Sequence, residues 1–119
     1  MDKIRKFLKI NRIKTDIIEI NVNNNGKHLI RDYDGQHTVY FLVNSALEIV
    51  YVGSSVSLSV RLAKHRYHKD FISAYAIILP SEYFMYSAET LGINHFSPFY
   101  NKQIPTETNT IWCKRAFRR

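Results

Sequence analysis

In the segment TVYFLVNSALEIVYVGSSVSLSVRLAKH, Thr38 to His65, two tyrosines, an arginine and a histidine stand at spacings that folding alone does not require. Alternate residues of a strand share a face. A hairpin with Tyr40 opposite Tyr51 and Leu42 opposite Ile49 sets both phenols side by side and turns at Ser45-Ala46. That pair is not a favoured two-residue turn, so the loop is free to widen while the register is kept. Arg61 and His65 are four residues apart and share one side of a helix, with Leu58 and Leu62 beside them as anchors to the sheet. Gly53 lets the chain leave the strand sharply. Ser54 and Ser55 then open the helix, where backbone N–H groups attract phosphate. Singly, each feature is ordinary: strand tyrosines pack, helix charges face water and Gly-Ser-Ser makes turns. Jointly, two phenols, a guanidinium and an imidazole beside a phosphate site form a base and electrophile set for phosphodiester chemistry.

The elements that must position these groups are readable from periodicity. Residues 2–10 read as a short helix with Ile4, Phe7 and Leu8 on one face and Lys3, Lys6 and Lys9 around the rest. DIIEINV, a turn at Asn25-Gly26 and KHLIRDY read as a hairpin. Strands follow at 38–43 and 48–53, then a helix from an N-cap at Ser57 to about Tyr67. FISAYAIILP reads as a strand ended by Pro80, and Ser81 caps a second helix to about residue 95, with Gly92 as a place where it could break. Pro98 imposes an irregular end. This order predicts a small α/β or α+β fold: a central, mostly antiparallel sheet flanked by helices, with an extra N-terminal helix and hairpin.

The 119 residues suffice for one core, and a 45% hydrophobic content excludes a disordered tail. Cys113, the single cysteine, excludes an internal disulfide and suits a reducing compartment. The longest apolar run is too short for a bilayer, and Lys6 and Lys9 interrupt any signal-peptide core, so the expectation is a cytoplasmic protein without a membrane partner. The net charge of +7 is carried by the ends. Residues 1–14 hold six basic side chains against Asp2, residues 114–119 hold four, and residues 15–113 hold seven against nine acids. A polyanion partner, most simply nucleic acid, accounts for that distribution.

The chain resembles the GIY-YIG nucleases. Their first motif corresponds to Thr38-Val39-Tyr40 and their second to Tyr51-Val52-Gly53. Their serine pair and helix pattern correspond to Ser54, Ser55, Ser57, Leu58, Arg61, Leu62 and His65. Their metal-binding glutamate, proline and asparagine correspond to Glu89, Pro98 and Asn101, at a spacing similar to that in the amino-terminal incision domain of the bacterial excision-repair nuclease. Thr38 stands in place of the first motif's glycine, and Ser57 in place of an asparagine. The resemblance covers about 37–103 and implies a nuclease domain there, with a basic extension at 1–36 and a basic tail at 104–119.

What the resemblance implies is hydrolysis of phosphodiester bonds, DNA first, with one Mg²⁺ or Mn²⁺ held by Glu89, a hard oxygen ligand. Tyr40 would activate water, Arg61 would stabilise its phenolate and the transition state, and Tyr51 and His65 would orient water or relay its proton. Asn101 and Gly53 would be structural. Candidates for contact with the nucleic-acid backbone are Lys3, Lys6, Lys9, Ser54, Ser55, Lys64 and Arg115. Little chain is spare for sequence recognition, so sequence preference is weak or built by homo-oligomerisation. The alternatives are a non-catalytic nucleic-acid-binding module and a nuclease acting on RNA.

Overall fold

The computed structural model describes residues 1–21 and 31–102. The Asn25-Gly26 turn, Cys113 and Arg115 lie outside them. The elements run in the order α1 (Asp2–Ile10), β1 (Ile18–Asn21), β2 (His37–Val43), β3 (Ile49–Ser55), α2 (Leu58–His68), β4 (Ser73–Leu79) and α3 (Glu82–Phe96), then a 3₁₀ turn at Tyr100–Lys102. The fold is α+β, with one antiparallel sheet in the order β1-β4-β2-β3. Among the described residues, no helix is long and apolar enough to cross a membrane.

Alternation along β2 divides the core into two layers. Val39, Phe41 and Val43 face α1 and α3, burying Ile4, Phe7, Leu8, Met85 and Ala88. Tyr40 and Leu42 face α2, burying Leu58 and Leu62 together with Ala74 and Ala76 of β4. A nine-residue helix such as α1 is marginal alone. The Phe7 ring holds it in place, with ring centroids 6.0 Å from Phe41 and 5.4 Å from Phe96. The N-terminal segment is thus built into the sheet and its core.

Ser81 caps α3 by accepting a hydrogen bond from the Phe84 N–H at 3.3 Å. The helix continues through Gly92 without a break. An added Cβ there would lie 3.1 Å from Val52 Cγ1, so glycine permits the close approach of helix and sheet. Ser97, left-handed at φ 45°, ends the helix immediately before Pro98.

Two sequence expectations change. β1 of the expected N-terminal hairpin lies beside β4, with Ile18 opposite Ala76, and Asp32–Gly35, which include the last two residues of the expected second strand, form a turn; the rest of that hairpin, 22–30, lies outside the described residues. Glu19 opposite Tyr75 and Ile20 opposite Ala74 give β1 a central partner that no local turn signal announces. The β2–β3 register also moves by two residues. Tyr40 faces Gly53 and Leu42 faces Tyr51, with an irregularity before Val43 and Ile49. Asn44 causes this: its Oδ1 accepts from the Ala46 and Glu48 N–H groups at 3.0 and 2.9 Å, and Leu47 takes a φ of 63°, which builds a loop over 44–48. A two-residue shift preserves faces, so both phenols still point toward α2.

Candidate active site

Tyr40 is the centre of the α2-facing layer. Its cross-strand neighbours are Gly53 and Ala76, two of the smallest residues available, and its large ring fills the space they leave. It is 0% exposed. Its hydroxyl shares a 2.8 Å hydrogen bond with His65 Nε2. Tyr51, half-buried, stands diagonal to it, with ring centroids 6.0 Å apart and 4.7 Å from Tyr51 to His65. Leu58, Leu62 and His65 lie on the buried side of α2, which sets the imidazole against the sheet. The N-cap position falls on Ser57 as expected, yet its side chain makes no capping bond. Asp34 does so from another segment, its Oδ1 accepting from the Ser59 N–H at 2.9 Å.

Gly53 does not release the chain from the strand, because β3 continues to Ser55. Its function is to leave room. An added Cβ would sit 2.6 Å from Tyr40 Oη and 2.7 Å from Tyr51 Cε2. Neither ring can yield freely, since one is buried and bonded to His65. Gly53→Ala should therefore destabilise the fold by about 1–3 kcal/mol, the usual scale of overpacking, and displace both phenols. Urea unfolding followed by circular dichroism checks this, and wild-type stability would contradict it.

Ser54 and Ser55 likewise belong to the strand, two residues short of α2, and so do not open the helix. Ser55 Oγ accepts from the Ser57 N–H at 2.8 Å. Ser54 Oγ donates to Glu89 Oε1 at 2.7 Å. Through that bond Glu89, which comes from α3 on the other side of the sheet, is held at the β3 edge. There its charge acts on both Tyr40 and Arg61. Asn101 closes the same edge, its Oδ1 accepting from the Val52 N–H at 2.8 Å and its Nδ2 donating to the Val52 carbonyl at 2.9 Å. The 3₁₀ turn thereby occupies a strand edge that would otherwise be open.

The electrostatics alter one expected role. Burial pushes the Tyr40 phenol far above the ordinary phenol range; Tyr51 adds to this, and the Arg61 charge opposes it without reversing it. Tyr40 is therefore protonated and out of contact with water in the resting protein. Proximity to Arg61 does not by itself make it a base, because desolvation outweighs the guanidinium. For Arg61, burial disfavours the charge, but Tyr40, Tyr51 and Glu89 more than offset that and raise its pKa. His65 is pushed down to about 3, first by burial and then by Lys69, Arg61 and His68, and is uncharged at neutral pH.

The sign of that last shift has a consequence. Between about pH 6.5 and 3 the unfolded chain protonates this histidine while the folded chain does not, so acid favours unfolding over that window. His65→Gln keeps a hydrogen-bonding end but cannot titrate. Its melting temperature should fall less than that of the wild type between pH 7 and pH 5. Identical falls in the two proteins would contradict the depressed pKa.

Tyr40, Tyr51, Arg61, His65 and Glu89 thus gather around one end of β3. Lys64 is exposed on α2. Lys3, Lys6 and Lys9 are exposed on α1, which packs on the opposite layer, and the Lys3 Nζ donates to the Leu47 carbonyl at 3.1 Å. Sequence reasoning passed over Lys69, whose Nζ lies 4.8 Å from the Tyr51 ring centroid and 5.6 Å from that of Tyr100. A four-residue step from Arg61 to His65 to Lys69 was the signal available. Among the described residues, no group of three or more His, Cys, Asp or Glu side chains could hold a metal ion. The chain matches no protein-family model and no curated protein sequence.

Proposed function

We propose that this protein is a divalent-metal-dependent endonuclease of the GIY-YIG type, cleaving phosphodiester bonds with DNA as its first substrate. The observation that carries this reading is the meeting of two phenols, a guanidinium and an uncharged imidazole with a carboxylate from another element. Glu89 of α3 is held by the Ser54 hydroxyl at the edge strand that carries Tyr51.

The donor set fits one hard cation held sparingly by protein. Mg²⁺ dehydrates reluctantly and is commonly bound by one or two carboxylates, with water and substrate phosphate completing its shell. Glu89 would hold it, and Ser54 fixes that carboxylate through Oε1. When bound, the ion supplies Lewis-acid stabilisation of the phosphoryl group and leaving oxygen.

The residues divide the remaining work by exposure. Tyr51 and Arg61 are half-buried and can meet a substrate, whereas Tyr40 cannot. Arg61 offsets the charge that develops on the phosphorane-like transition state. Tyr51 orients the attacking water. Tyr40 acts from behind, fixing the His65 ring through their 2.8 Å bond. His65 is uncharged and so has one nitrogen able to take a proton. Burial first, and then Lys69 and Arg61, hold its basicity down, and a bound phosphodiester brings negative charge that counters the two cations.

Incubation with supercoiled, linear and single-stranded DNA and with RNA, each in Mg²⁺, tests the reading. Cleavage of DNA supports it, cleavage of RNA alone would change the substrate, and no cleavage of any of them would overturn it.

A further inference from the structure

Lys69 follows the last turn of α2, and its ammonium is held in place. Its Nζ is 4.8 Å from the Tyr51 ring centroid and 5.6 Å from the Tyr100 ring centroid. Both rings are themselves fixed. Tyr51 lies in β3, and the Tyr100 hydroxyl accepts from the Asp70 N–H at 2.8 Å. One residue further on, Asn101 is bonded to Val52 at two points. A long, flexible side chain is thereby placed at the site rather than released to water.

Its electrostatic setting is unfavourable as it stands. Lys69 makes no ion pair among the described residues. Burial first, and the Arg61 charge second, press its pKa down. Two cations near enough for one to depress the other are stabilised by anions that bind them. A phosphodiester chain presents such anions at a regular repeat, and lysine binds phosphate as a point charge.

Building on the nuclease reading above, we infer that Lys69 is a substrate-binding residue that takes a backbone phosphate flanking the scissile one, while Arg61 takes the scissile phosphate. Tyr51 and Tyr100 form the aromatic seat that aims its ammonium. The contact carries no base information, so it fixes register along the strand without selecting sequence.

The test is a salt titration of binding to duplex DNA oligonucleotides in EDTA, for wild type, Lys69→Met and Lys69→Arg. Methionine keeps an apolar stem against the rings and removes the charge. It should weaken binding about tenfold at low salt, the scale of one charge-assisted hydrogen bond. It should also flatten the slope of log K against log salt by about 0.9, one phosphate contact. Arginine should restore the slope. A purely structural lysine would lower the melting temperature of Lys69→Met and leave the slope at its wild-type value, and that result overturns the inference. Should Lys69→Met not fold, Lys69→Gln is measured in the same way. Wild type that binds duplex DNA with salt dependence while Lys69→Met keeps its slope rejects this contact alone. Wild type that does not bind DNA at all rejects the nucleic-acid reading with it.

Discussion

Glu89→Gln should remove nearly all cleavage while leaving the fold intact. The substitution is almost isosteric, and its amide oxygen can still accept the Ser54 hydroxyl that Glu89 Oε1 accepts at 2.7 Å. What it loses is negative charge, and with it the hard ligand that the proposed divalent cation would use. A metal acting on a phosphoryl group is worth several kcal/mol of transition-state stabilisation, so the loss should be on the order of 10³-fold or more. DNA affinity measured in EDTA should change little, because the cations of the protein remain. Substantial cleavage by a folded Glu89→Gln protein would remove Glu89 from the reaction and return it to a surface role in α3.

Arg61→Ala should be the next most damaging change, at roughly 10²–10³-fold in rate, the scale of one preorganised group facing developing charge. Arg61→Lys should recover only part of it, since an ammonium lacks the planar fork that can contact two oxygens. Tyr40→Phe should cost about 10²-fold by a different route. It removes the partner of His65 Nε2 and leaves a buried polar atom unsatisfied, so stability should fall too, by about 1–3 kcal/mol. Tyr75→Phe is the control. Tyr75 lies opposite Phe41 and Glu19 on the layer away from the phenol pair, and its loss should be nearly silent. Equal losses in Arg61→Ala, Tyr40→Phe and Tyr75→Phe would mean that only folding is being measured.

The parts of this molecule legible in its sequence are those set by local period and local chemistry. Ile4, Phe7 and Leu8 mark the buried stripe of α1, Ser81 marks the start of α3, and the apolar runs flanking Asn44 mark β2 and β3. The pairing of Tyr40 with Tyr51 on one face survives a register error of two residues because strand faces repeat every two. What the sequence hides is non-local. β1 pairs with β4 across more than fifty residues of chain, and no turn signal encodes that choice. Asp34 caps α2 from a preceding loop, replacing a serine at the expected position. The site follows the same division. Arg61 and His65 are related by helical spacing, but the serine that holds Glu89 at the sheet edge lies thirty-five residues from it. The depth of Tyr40 is hidden as well. Nothing in its neighbours' identities announces that burial would outweigh the guanidinium beside it.

The most direct test is the metal dependence of cleavage by the wild-type protein. Supercoiled plasmid is incubated with the purified chain in Mg²⁺, in excess EDTA, and in EDTA followed by restored Mg²⁺. Nicking or linearisation in the first and third conditions and none in the second is the expected result. Equal cleavage in all three conditions, or none in any, would contradict a metal-dependent nuclease centred on Glu89.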